Sequence, residues 1–215
     1  DREKKLIKLL EKHRGKHGEF DCIVPGSGGK DSCYASDILK RKYGMNPLTV
    51  TWSPILYTDY GYKNFKNWIS YGKLTNFSCQ RDEQTMKLLT KLAIQNLLHP
   101  FQTFILGQKI FAIRMSLKFK IPLIFFGENE AEHGNPIGDN TSSLRSKSYF
   151  TYKNFNNIYL GGVNIKELIN NYKIKLKNLD IFLPPSADEV SSNEIETHYL
   201  GYYFKWIPQE TYYYS

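Results

Sequence analysis

A chain of 215 residues has room for one sizeable core, and 41% hydrophobic with 23% charged residues excludes disorder and a fibrous repeat. The formal net charge of +8 permits nucleic acid as a partner but suits nucleotides and anionic small molecules equally. No apolar run approaches the ~20 residues of a bilayer span, and three cysteines (Cys22, Cys33, Cys79) without a C-x-x-C pair exclude a disulfide framework or a zinc knuckle within the chain.

Residues 2–13 set Leu6, Ile7, Leu9 and Leu10 among Lys and Glu, an amphipathic helix stopped near Gly15 and Gly18. Phe20–Val24 is a short apolar strand, expected over 20–25, with Cys22 as a core residue. Pro25-Gly26-Ser27-Gly28-Gly29 is a sharp turn, Asp31 to Tyr43 a helix ended by Gly44, and Leu48–Trp52 a β-branched and aromatic strand closed by Ser53-Pro54. Strand, turn, helix and strand make a βαβ unit, which requires parallel strands and a right-handed crossover.

The alternation continues with a helix over Tyr62–Tyr71, a short strand or loop at Asn76–Cys79, and a helix over Glu83–Leu98 whose Met86, Leu89, Leu92, Ala93 and Leu97 share one stripe. A helix over Gln108–Phe119 leads into Ile121–Phe126, apolar on both faces as a central parallel strand must be. Residues 133–153, rich in Gly, Asn, Ser and Lys, form a long loop of the kind that carries function. A fifth strand is expected at Asn157–Leu160 and a helix at Asn164–Tyr172. The pattern predicts an α/β fold: a doubly wound parallel sheet with helices on both faces. Residues 141–180 are basic and 186–210 acidic, two solvated surfaces of which the second leaves room for a partner. The aromatics from Tyr199 to Tyr214 read as core or interface.

The stretch Ser27-Gly28-Gly29-Lys30-Asp31-Ser32 joins an apolar strand to a helix. Glycines there let backbone N–H groups approach an anion, and the helix N-terminus adds its positive end. The Ser27 and Ser32 hydroxyls can donate to phosphate oxygens, and Lys30 adds a mobile cation. A Walker A loop fails on spacing, because Lys30 is followed by Asp31 and the upstream glycine position holds Val24. The dinucleotide fingerprint fails at Asp31, where it needs glycine. Asp31 suits a Mg²⁺ ligand beside an anionic leaving group, and equally a first-turn acid that complements the helix dipole.

The hexapeptide resembles the Ser-Gly-Gly-x-Asp-Ser loop of the ATP-pyrophosphatase (PP-loop) superfamily. Asn96–Gln102, Gly107-Gln108-Lys109, Gly127-Glu128-Asn129, Leu200–Trp206 and Pro208-Gln209-Glu210 are similar to the N-acetyl sugar amidotransferases of pseudaminic-acid and lipopolysaccharide biosynthesis, a resemblance over most of the chain. Two features depart from that family: its cysteine knuckle, which precedes the region where this chain begins, is not in these residues, and its members run on beyond the equivalent of Ser215. The start at Asp1, without Met or a signal-peptide core, reads as a cut edge.

The resemblance implies a reaction in which ATP adenylates the amide oxygen of a sugar acetamido group. Pyrophosphate leaves, and ammonia from a glutaminase partner displaces AMP to give an acetamidino group. The chemistry of pyrophosphate departure makes Lys30 and Asp31 catalytic, and the crevice at the strand ends gives Pro25, Gly26, Ser27, Gly28, Gly29, Lys30, Asp31, Ser32, Val50, Thr51, Trp52 and Gly127 as ATP-binding, with adenine near Val50–Trp52. Glu128, Asn129, Glu130 and His133 receive the N-acetylated sugar, free or nucleotide-linked, and Asp31 and Glu128 hold Mg²⁺. The organisation expected is a helix over 1–19, a PP-loop domain over 20–175 and an acidic, aromatic C-terminal extension over 176–215, in a cytoplasmic protein without membrane or nucleic-acid partners. The competing reading is a tRNA-modifying PP-loop enzyme of the thiolation or lysidine type. Thiolation calls for paired cysteines, and Cys79 has no evident mate.

Overall fold

The computed structural model describes residues 1–127 and 142–215. Its first half runs α1 (Arg2–His13), β1 (Cys22–Pro25), α2 (Lys30–Asp37), β2 (Pro47–Trp52), α3 (Asp59–Gly72), β3 (Thr75–Cys79), α4 (Glu83–Leu97), α5 (Gln102–Phe119) and β4 (Leu123–Phe126). The second half has β5 (Tyr159–Leu160), β6 (Val163–Asn164), α6 (Ile165–Asn170), α7 (Leu176–Leu179), α8 (Ala187–Ser192), β7 (Glu196–Tyr199), α9 (Leu200–Tyr203) and α10 (Pro208–Tyr214). Helix α2 runs on through a π-helical turn, Ile38–Lys42.

Five strands form one sheet in the order β3-β2-β1-β4-β7, with every pairing parallel. Successive side chains on a strand point to opposite faces, so apolar strands must feed two cores. Ile23, Leu48, Val50, Trp52 and Ile124 pack with α4 and α5 on one face. Cys22, Val24, Leu123 and Phe125 pack with α1, α2 and α9 on the other. The doubly wound α/β expectation is therefore met, and the six-residue apolar run before residue 127 is buried on both sides for this reason.

The expected fifth strand at 157–160 is not in that sheet. Tyr159–Leu160 pairs antiparallel with Val163–Asn164 as a small separate hairpin. The fifth strand is β7, Glu-Thr-His-Tyr, so residues expected as a C-terminal extension complete the sheet, and Leu200, Tyr203 and Trp206 enter the second core. Its polar side chains are satisfied locally: His198 Nε2 lies 3.2 Å from Glu196 Oε2, and its Nδ1 lies 3.0 Å from the Tyr203 hydroxyl and 3.1 Å from that of Ser143. Among the described residues no helix is long and apolar enough to cross a membrane.

Candidate functional site

The chain winds outward from β1 through β2 to β3, then returns to place β4 on the other side of β1. The switch point lies between β1 and β4, and ligands of such sheets bind beyond the C-terminal strand ends there. The β1–α2 turn and Gly127 flank that point.

The turn is forced tight by its neighbours. Gly28 has φ +84°, and a Cβ there would sit 2.6 Å from the Phe65 Cα of α3. A Cβ on Gly26 would meet the Ser32 Cβ at 2.1 Å, because the turn folds back on the first turn of α2. Helix α2 begins at Gly29 with no side-chain cap, whereas α1, α3 and α4 are capped by Asp1, Thr58 and Asp82. Its leading amides thus keep their donors for an outside acceptor, at the positive end of the helix dipole.

A cleft of 340 Å³ opens over this turn. Pro25, Gly26, Ser27, Gly29, Asp31 and Ser32 form one side, Val50 and Trp52 another, and Gly127 closes it. These are nine of the residues the sequence assigned to ATP. Three others stand elsewhere. Gly28 is pressed against α3, behind the cleft wall. Thr51 faces the opposite side of the sheet, where its hydroxyl accepts from Asn76 Nδ2 at 2.9 Å. Lys30 borders a second groove, of 860 Å³, between α2, α3 and α10, and Gly29 lines both spaces. Glu128, Asn129, Glu130 and His133 lie outside the described residues.

Lys30 Nζ contacts both carboxylate oxygens of Asp31 at 2.6 Å, and the Trp206 indole N–H donates to Oδ1 at 3.1 Å. Ser32 spends its hydroxyl proton on the Gly29 carbonyl at 3.0 Å. The two groups expected to act on phosphate are therefore engaged with each other, within reach of the cleft. Gln108, Phe111, Phe126 and Tyr199 complete the lining. Of these, Gln108 stood in a stretch singled out by the family resemblance, whereas Phe111 and Phe126 were expected only as helix and strand residues and Tyr199 only as core or interface. Trp206 stood in the Leu200–Trp206 stretch that carried the resemblance, but nothing in the sequence tied it to Asp31, which it holds from 175 residues away.

Trp52 reaches the cleft because Gly107 has no side chain: a Cβ there would lie 2.0 Å from the indole Cζ2. The same ring packs on Phe111 and Phe182 and carries the Arg81 guanidinium 4.5 Å above it. None of the thiols is activated. Burial pushes Cys33 up to about 11, reinforced by Asp31 and Asp37. Burial also raises Cys79, against the opposing pull of Arg81 and Arg114. Among the described residues no group of three or more His, Cys, Asp or Glu forms a metal cage.

No protein-family model matches the chain, and no curated protein sequence does. Solved structures similar to it include the NMN synthetase from Francisella tularensis, at 13% identity and a TM-score of 0.45, over 88% of this chain and 79% of that one.

Proposed function

We propose that the chain is an ATP-dependent, AMP-forming enzyme of the PP-loop superfamily, and within it an amidotransferase that converts a sugar acetamido group to an acetamidino group. One observation carries this reading. The complete Ser27–Ser32 hexapeptide sits at the switch point of an all-parallel sheet, on an uncapped helix start, beside a cleft walled by Val50 and Trp52. Triphosphate over the turn and adenine toward Val50 and Trp52 is the arrangement that lining supports.

An amide oxygen is a poor leaving group, and adenylation turns it into AMP. The uncapped amides and Lys30 then meet charge that grows on the phosphates as pyrophosphate departs. Asp31 would hold a Mg²⁺, since Mg²⁺ sites use one or two protein carboxylates rather than a cage. The ion would supply charge neutralisation at the leaving group. No nucleophilic side chain is required, in keeping with thiols held in the protonated form. The same protonated thiols weigh against the thiolation alternative.

The ammonia donor is read as a separate glutaminase, so the test supplies ammonium salt instead. Sugar-dependent pyrophosphate release should fall ~10²–10³-fold in Lys30→Ala, the loss seen when one transition-state donor is removed. Release at the wild-type rate in that variant would sink the proposal.

A further inference from the structure

Among the described residues the half-buried Arg81 guanidinium has no counter-ion. Among the described residues its one hydrogen bond runs from Nη1 to the Cys79 carbonyl, at a long 3.4 Å. Its Nε is sealed from solvent with no acceptor, and so is Nε1 of the neighbouring Trp52. The guanidinium lies 4.5 Å over the Trp52 ring and 5.6 Å from the centre of the Phe104 ring. The other cation of this corner, Arg114, is satisfied by the Asp180 carboxylate at 2.5 Å and the Leu183 carbonyl at 3.1 Å. Contacts with aromatic rings offset only part of the cost of desolvating a charge, and buried charges are normally paired.

The place is as informative as the missing partner. Arg81 follows β3, at the C-terminal edge of the sheet where ligands bind. Strand β3 is two strands from β1, so at ~4.8 Å per strand Arg81 stands roughly 10 Å from the turn after β1. Phosphates seated on that turn do not fill it. Trp52 links the two, since it lines the cleft and carries the guanidinium.

We infer that Arg81 receives an anionic oxygen group, a carboxylate or a phosphate, on the second substrate, the one that ATP activates. This deepens the proposed function and rests on reading the cleft as the nucleotide site. A planar fork is suited to either anion in a bidentate contact. The inference makes the acceptor an acidic or phosphorylated sugar rather than a neutral one.

Calorimetric titration with three sugars tests it: N-acetylneuraminate for a carboxylate, N-acetylglucosamine 1-phosphate for a phosphate, and neutral N-acetylglucosamine. Wild type should bind one of the anionic sugars at least ~10-fold more tightly than the neutral one, the size of one charge-assisted hydrogen bond. Arg81→Gln should erase that preference and leave ATP affinity unchanged. Should Arg81→Gln not fold, Arg81→Lys, which keeps the charge and loses the fork, should reduce the preference. Equal binding of neutral and anionic sugars, binding of neither anion, a preference that survives both substitutions, or a loss of ATP affinity in Arg81→Gln would each overturn the inference. Absence of ATP binding in the wild type would instead overturn the reading of the cleft, and the sugar titrations without nucleotide would still decide the role of Arg81.

Discussion

Two adjacent glycines of the turn should respond to alanine in opposite ways. At Gly28 the backbone has φ +84°, where an L side chain costs ~1–2 kcal/mol. The added Cβ would also lie 2.6 Å and 2.7 Å from Phe65 Cα and N, and 3.0 Å from the Asn64 carbonyl carbon. These are backbone atoms of a helix and cannot rotate away, so overpacking adds ~1–3 kcal/mol. At ~2–4 °C per kcal/mol for a chain of this size, Gly28→Ala should melt roughly 5–15 °C lower than wild type. Gly29 has φ −76°, and its Cβ would meet no heavy atom within 4 Å. A weaker helix start costs it a few tenths of a kcal/mol, which the stiffer unfolded chain offsets at ~0.4–1 kcal/mol. Gly29→Ala should therefore melt close to wild type, yet lose ATP affinity, because Gly29 lines the cleft and its added methyl would meet no protein atom. Thermal unfolding beside calorimetric ATP titration separates the effects. Equal melting of the two variants, or a Gly28→Ala protein as stable as wild type, would refute the reasoning.

Gly107→Ala should gain ~1 kcal/mol in helix propensity and still be destabilised by ~1–3 kcal/mol, since its Cβ would overlap the buried Trp52 ring; a raised urea midpoint would contradict this. Trp206→Phe removes the donor to Asp31 while keeping the packing on Tyr34 and Phe204, and should cost about 1 kcal/mol, read from the same midpoint. His13 is held neutral by burial, its pKa pulled down to about 4; Glu196 opposes the shift, and Lys12, His17 and His198 reinforce it. A folded pKa below the unfolded value means stability is present above pH ~6.5 and is lost as pH falls toward 4, by at most ~1.4 kcal/mol per pH unit for this group. His17 and His198 shift in the same direction, also led by burial. Urea midpoints that stay flat between pH 7 and pH 4.5 would rule out the buried neutral histidine.

The local pattern determined the elements that bury a face by themselves. Helix α1 and strands β1, β2 and β4 coincide with the sequence expectation to within about two residues, because apolar periodicity and glycine stops are short-range signals. The phosphate-loop motif is likewise a contiguous string, legible with its strand and helix on either side. Strand β7 was not legible: Glu196 and His198 look like loop residues until β4 supplies a hydrogen-bonding edge and Ser143 and Tyr203 satisfy the imidazole. Tyr159–Leu160 had the better strand composition and was left out of the main sheet, since pairing is decided by which chain reaches the open edge of β4. The cleft divides in the same way. Its turn residues could be read from sequence, whereas the meeting of Gln108, Phe111 and Tyr199 in one lining, the Trp206–Asp31 bond and an Arg81 without a counter-ion among the described residues arise only when segments far apart in the chain meet at the strand ends. Short-range sterics and periodicity act along the chain. Burial and the pairing of polar groups act between segments, and only the tertiary structure could assign them.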